Sequence, residues 1–150
     1  MLSPQEARRI AESLVERGIA AGATAADALY VGDRSSSVQV RLGEIDSVSR
    51  SEGEQMGLRL FVGQRSATAA SSDLSDEALS ALVGRCLAMA TEAPEDSYAG
   101  LAPADLLQHG ELADLDGDDP REPDPDELRA RALEAENAAL AVEGDRKSVV

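Results

Sequence analysis

The sequence predicts an α+β fold, an antiparallel β-meander of about five strands covered by three helices. Three observations predict it. Helix-capping signals stand before three apolar stripes of helical spacing. The apolar period switches from 3.6 to 2 between the first and second of these stripes. Only short turns separate the alternating runs, which favours hairpin connections over crossovers.

The first helix is expected over residues 4–21. Ser3-Pro4-Gln5-Glu6 supplies an N-cap, a proline at the first helical position and the acid of a capping box. Ala7, Ile10, Ala11, Leu14 and Val15 form its apolar face, Gly18 weakens the last turn, and Gly22 is a left-handed stop. Strands are expected at 25–33, 36–42, 44–51, 54–63 and 66–72. Val38, Val40 and Leu42 alternate with polar residues up to a Gly43-Glu44 turn, and Met56, Leu58, Leu60 and Val62 give the clearest alternation. Gly53, Gly57 and Gly63 lack the Lys-Ser/Thr pair of a phosphate loop and serve turns or close backbone approach. The second helix, 76–91, opens at Ser75 with Leu74 and Leu79 as a hydrophobic staple. The third, 125–142, opens at a capping box, Asp124-Pro125-Asp126-Glu127. Its apolar face steps through Leu128, Ala132, Ala135, Ala139 and Val142.

Residues 94–123 hold Pro94, Pro103, Pro120 and Pro123 and form a long loop, with one helical turn possible at Ala104–Gln108. Its second half is a run of acids, Glu111 to Glu127, relieved only by Arg121.

A chain of 150 residues fits one domain, expected over 1–150. With 29 acids against 14 bases the formal charge is −15, which opposes direct nucleic-acid binding. Aromatic residues make up 2% of the chain, too few to build stacking platforms for bases or sugars. No apolar run reaches membrane-spanning length and the N-terminus carries no export signal, so a cytoplasmic, soluble protein is expected.

The sequence yields no catalytic, metal or cofactor residues. A calcium loop counted from Asp114 or from Asp116 (Asp118 and Gly117 lie among its acids) lacks the glycine at its sixth position. His109 is the single histidine, too few for a zinc centre without thiolates, and no nucleophile elbow surrounds any serine. Cys86 lies on the apolar stripe of the second helix and packs as a small hydrophobe. What remains is an interaction signal. The weakly patterned strand Ser47, Val48, Ser49, Arg50, Ser51 is an accessible edge, able to accept an extended peptide as an added strand.

Several segments resemble the N-terminal domain of the TldD/PmbA family, also called modulator of DNA gyrase. Val38–Ser51 is similar to its strand, Gly-Glu turn and strand, Gly57–Gly63 to its glycine-led central strand, and Ala69–Ser75 to the entry into its second helix. Ala93–Ala102 resembles the PmbA (TldE) branch. The likeness spans residues 3–143 and departs from the family at Asp145–Val150.

The resemblance implies a non-catalytic substrate-handling or assembly domain of a TldD/TldE-type zinc metallopeptidase. Such a complex matures peptide precursors, microcins among them, and degrades an unfolded antitoxin. It also implies a TldD-type partner that holds the zinc through His-Glu-x-x-x-His, a motif this sequence lacks. Unfolded peptides are the expected ligands, and family chains continue beyond the length seen here. The competing expectation is an acidic DNA mimic, with Glu111–Glu127 imitating phosphates to occupy a DNA-binding enzyme such as gyrase.

Overall fold

The computed structural model describes residues 1–111, 113–117, 119 and 121–144. Asp118, Pro120 and the 145–150 segment of the sequence reading lie outside them. The elements in order are α1 (Pro4–Ala20), β1 (Ala25–Arg41), β2 (Glu44–Val62), β3 (Arg65–Ser71), α2 (Asp76–Glu92), a 3₁₀ turn (Ala104–Leu106) and α3 (Pro125–Leu140). The strands form one sheet in the order β1-β2-β3. The chain divides into two compact units. The first is Met1–Asp33 with Gly53–Gly110, and the second is Arg34–Glu52 with the chain from Glu111 onward.

In the first unit the local signals act as their chemistry dictates. The Ser3 side chain accepts from the Glu6 N–H while Glu6 reaches back to the Ser3 N–H, a complete capping box. At the other end of α1, Gly22 has φ 115°, with its N–H bonded to Ile19 O and that of Ala23 to Gly18 O. That pair of bonds is a Schellman motif, which satisfies carbonyls the helix leaves open. Ser75 caps α2, and α2 ends at Ala93, whose extended backbone is what a following proline enforces. β2 and β3 pair antiparallel from Met56↔Ser71 to Val62↔Arg65 around a two-residue Gly63-Gln64 turn, where Gly63 supplies φ 60°.

The core of this unit gathers Leu14 of α1, Ala26 of β1, Met56, Leu58 and Leu60 of β2, and Leu79, Leu82, Val83, Cys86 and Ala90 of α2. Met56, Leu58 and Leu60 are fully buried. At roughly 2 kcal/mol for each large apolar side chain buried, these three positions alone matter on the scale of a domain's net stability. Cys86 packs here, with its Sγ 3.3 Å from Ala67 O and 3.5 Å from Leu58 O, and burial pushes its thiol pKa up.

The second unit joins the hairpin ends of β1 and β2 to α3. One face of the hairpin carries hydroxyl pairs: Ser35 with Ser51 and Ser37 with Ser49, both at 2.8 Å, and Ser47 donating to Gln39 at 3.0 Å. Residues of the opposite parity include Val38, Val48 and the buried Val40.

Several expectations are corrected. The structure has three strands where five were expected, because 25–33 and 36–42 form one strand and 44–51 and 54–63 another. Two glycines within these strands mark close approach, the second of the roles expected for Gly53. A Cβ at Gly53 would stand 2.9 Å from Asp33 Oδ1, and one at Gly32 would stand 3.0 Å from the Tyr30 hydroxyl. The tight turn is Leu42-Gly43, one residue earlier than expected. Asp124 accepts from the Glu127 N–H without the reciprocal bond, so α3 has half a capping box. On α3 the side chain of Ala135 is exposed and the buried position is Glu136, while Val142 lies past the helix end and is exposed too.

Gly18 does more than weaken a turn. A Cβ there would lie 2.5 Å from Leu60 Cδ2, inside the core, so α1 meets β2 through a missing side chain. In α2, a Cβ at Gly84 meets nothing within 4 Å. Gly18→Ala is therefore expected to destabilise, since overpacking of about 1–3 kcal/mol outweighs a helix-propensity gain of about 1 kcal/mol. Gly84→Ala should stabilise by up to about 1 kcal/mol. Urea melts of the two variants should move in opposite directions, and equal signs would refute the packing account.

Candidate functional site

The expected peptide-binding residues Ser47, Val48, Ser49, Arg50 and Ser51 all lie in β2, within the second unit. β2 is the middle strand of the sheet, yet its pairing with β3 stops at Met56↔Ser71. The 47–51 stretch therefore has β1 on one side and, among the described residues, no strand register on the other. All five side chains are exposed, Val48 at 58%. Strand backbone groups alternate in direction, so such an edge offers N–H and C=O groups to an added strand.

A groove of about 270 Å³ adjoins the stretch, lined by Val38, Val48, Arg50, Glu122, Pro123 and Leu128 among others. Arg50, Glu122 and Asp124 are its charged lining residues, and Arg34 and Glu52 pair with the first two. Arg34 bonds Glu52 and Glu122, each at 3.0 Å, and Arg50 bonds Glu52 at 3.0 Å. The hydrogen bond from Arg50, then the charge of Arg34, holds the Glu52 carboxyl below the usual glutamate range. Glu122, hydrogen-bonded to Arg34, is the largest cause of that guanidinium's raised pKa. These side chains are exposed, so each pair is screened by water, and their worth lies in orienting the acidic segment's end.

The hairpin tip carries the feature that sequence reading missed. Leu42 and Gly43 have φ 54° and 80°, the left-handed values a type I′ turn demands at both central positions. Leucine pays about 1–2 kcal/mol for that conformation. The Leu42 side chain is 78% exposed, so burial does not compensate. Compensation comes from Glu136 of α3, whose Oε1 and Oε2 accept from the Leu42 and Gly43 N–H groups at 2.6 and 2.8 Å. Glu136 is 7% exposed, the one buried charged side chain among the described residues. Charge-assisted bonds of this kind are roughly twice as strong as neutral ones. The signal was present in sequence as the series Leu128, Ala132, Glu136, an acid on an apolar i+4 line.

The other singled-out residues do not converge. His109 is exposed, its Nε2 2.9 Å from the Ala104 carbonyl at the 3₁₀ turn. In the acidic segment Asp114 accepts from the Asp116 N–H and Asp119 pairs with Arg121, both local contacts. Among the described residues no three His, Cys, Asp or Glu side chains gather in a way that holds a metal ion. The described residues therefore do not fit a zinc centre. No helix among them is long and apolar enough to cross a membrane.

The depressed Glu52 value makes a prediction with a definite sign. Its contribution to stability is fully present above the unfolded-state glutamate pKa and is lost as pH falls through the lower folded value. Carboxyl-carbon NMR should show Glu52 titrating below the usual glutamate range, and Arg50→Ala should move its midpoint back up. A midpoint indifferent to Arg50 would contradict the assigned cause.

Residues 26–90 match the family described as PmbA/TldA metallopeptidase domain 1. The chain is 34% identical over 136 residues to the metalloprotease PmbA homolog of Haemophilus influenzae, covering 91% of this chain and 30% of that protein. It is 36% identical over 104 residues to the metalloprotease PmbA of Escherichia coli O157:H7, covering 69% of this chain and 23% of that one. It thus spans about a third or less of the relatives it matches. A crystal structure from Bacteroides thetaiotaomicron, described as a modulator of DNA gyrase, superposes with a TM-score of 0.83. That match covers 97% of this chain and 33% of the other at 18% identity, a likeness of fold. The family model over residues 26–90 and the two PmbA relatives place this chain in the TldD/PmbA family, through that family's first domain.

Proposed function

We propose that this chain is a non-catalytic substrate-handling domain of a TldD/TldE-type metallopeptidase, and that it captures unfolded peptide by strand addition at Ser47–Ser51. The observation that carries this reading is the half of β2 that continues past its last β3 partner, Met56↔Ser71. Backbone pairing there asks little of the peptide's side chains, which suits a protease that must accept unfolded segments of varied sequence. Zinc and the hydrolytic step belong, in this reading, to a TldD-type partner in the cytoplasm. The metalloprotease names of the relatives support the setting. The role of this domain in assembly and peptide maturation is part of the same proposal. As a DNA mimic the chain would need its acids free, and Glu122 and Asp119 are already paired with Arg34 and Arg121.

Proline removes a backbone donor, and successive strand N–H groups point to opposite sides. Of Val48→Pro and Ser49→Pro, one deletes an outward donor and the other a donor toward β1. A fluorescein-labelled decapeptide of alternating Thr and Val, with Lys at both ends, serves as probe. The outward substitution should weaken its binding about tenfold or more while circular dichroism stays native. Undiminished binding by both folded variants would sink the strand-addition mechanism.

A further inference from the structure

We propose that Glu136 is a positioning residue for the Ser47–Ser51 edge: its carboxylate fixes the Leu42-Gly43 turn, and the turn fixes the register in which the hairpin presents that edge. The proposal rests on the peptide-capture reading above and adds its control element.

Register in a hairpin is specified by the buried face and by the turn, and a slip of one residue moves every side chain to the opposite face. In this hairpin the strands specify it poorly. Ser35, Ser36, Ser37, Ser47, Ser49 and Ser51 are small, polar and exposed, so several pairings would satisfy them about equally. The turn must then decide. Its sequence, Arg41-Leu42-Gly43-Glu44, is ill suited to the task, because leucine resists the positive φ that a type I′ turn requires at its first central residue.

What holds Leu42 there is remote in sequence. Glu136 lies 94 residues away and bonds both turn N–H groups, one to each carboxylate oxygen. The dependence is mutual. A buried carboxylate is costly unless hydrogen-bonded, and the turn supplies two donors to Glu136. Leaving α3 therefore strains the turn, and opening the turn strands the charge. α3 becomes the element that sets whether Val38 and Val48 line the groove together while Ser35 meets Ser51 and Ser37 meets Ser49 across the hairpin.

The decisive experiment compares the wild-type chain with Glu136→Ala, Leu42→Gly and the double variant. Two readouts are taken: exchange of the two amides that bond across the hairpin, those of Val38 and Val48 or those of Ser37 and Ser49, remote from the substituted sites, and affinity for the Thr-Val decapeptide. Glu136→Ala should raise exchange at both amides about tenfold or more and weaken the peptide by a similar factor. Leu42→Gly should restore most of both in the Glu136→Ala background, because glycine takes positive φ without strain. A merely stabilising α3 contact would show no such rescue. Unchanged exchange and affinity in Glu136→Ala would overturn the proposal, as would a folded double variant that is no better than Glu136→Ala. A wild-type chain that fails to bind the peptide would overturn the capture reading, whereas wild-type binding with an indifferent Glu136→Ala would overturn this inference alone.

Discussion

The alternation of side chains along β2 is the constraint on which the rest depends. Nineteen residues run through one strand, and period two sends every second side chain to the same face. In the first unit that rule delivers Met56, Leu58 and Leu60 together into the apolar core. In the second it delivers Ser47, Ser49 and Ser51 to a row of cross-strand hydroxyl contacts. One half of the strand is held by burial. The other half is held by hydrogen bonds and by its turn, which is why a single carboxylate on α3 carries so much weight there.

Sequence legibility followed the range of each interaction. Ser3, Gly22, Leu74, Ser75 and Asp124 act within a few residues, and helix ends read from them agree with the structure to within two residues. Strand number was misjudged because the polar stretches around 34–35 and 52–53 interrupt the apolar alternation while the strands run on through them. Gly63 turns the chain, while Gly32 and Gly53 make room for Tyr30 and Asp33. Nothing local distinguishes these cases, since the partner atoms come from elsewhere in the fold. Residues 47–51 were legible as an exposed strand because polar alternation survives in a strand that need not be buried. Glu136 escaped notice because its two partners are backbone N–H groups across the chain, which leave no trace in side-chain chemistry.

In the first unit, helices α1 and α2 pack with β2 around one apolar core. The second unit carries that strand beyond its last β3 partner and borders it with a groove and four paired charges. Both features are made of backbone edge and paired side chains, and the described residues bring no metal-ligating set together. Under the proposed reading, such a domain would serve proteolysis by holding chain, with backbone hydrogen bonds as the means and indifference to sequence as the consequence.

The most direct test of the account is residue-resolved amide exchange along β2 of the unliganded chain. Strand geometry predicts that Met56, Leu58 and Leu60, within the β3-paired and buried stretch, exchange slowest. Across Ser47–Ser51 it predicts alternation, with amides bonded to β1 protected and the intervening ones exchanging near the rate of unstructured chain. Uniform protection from Ser47 to Ser51 would mean that something already occupies this edge, and the proposed peptide site would be lost.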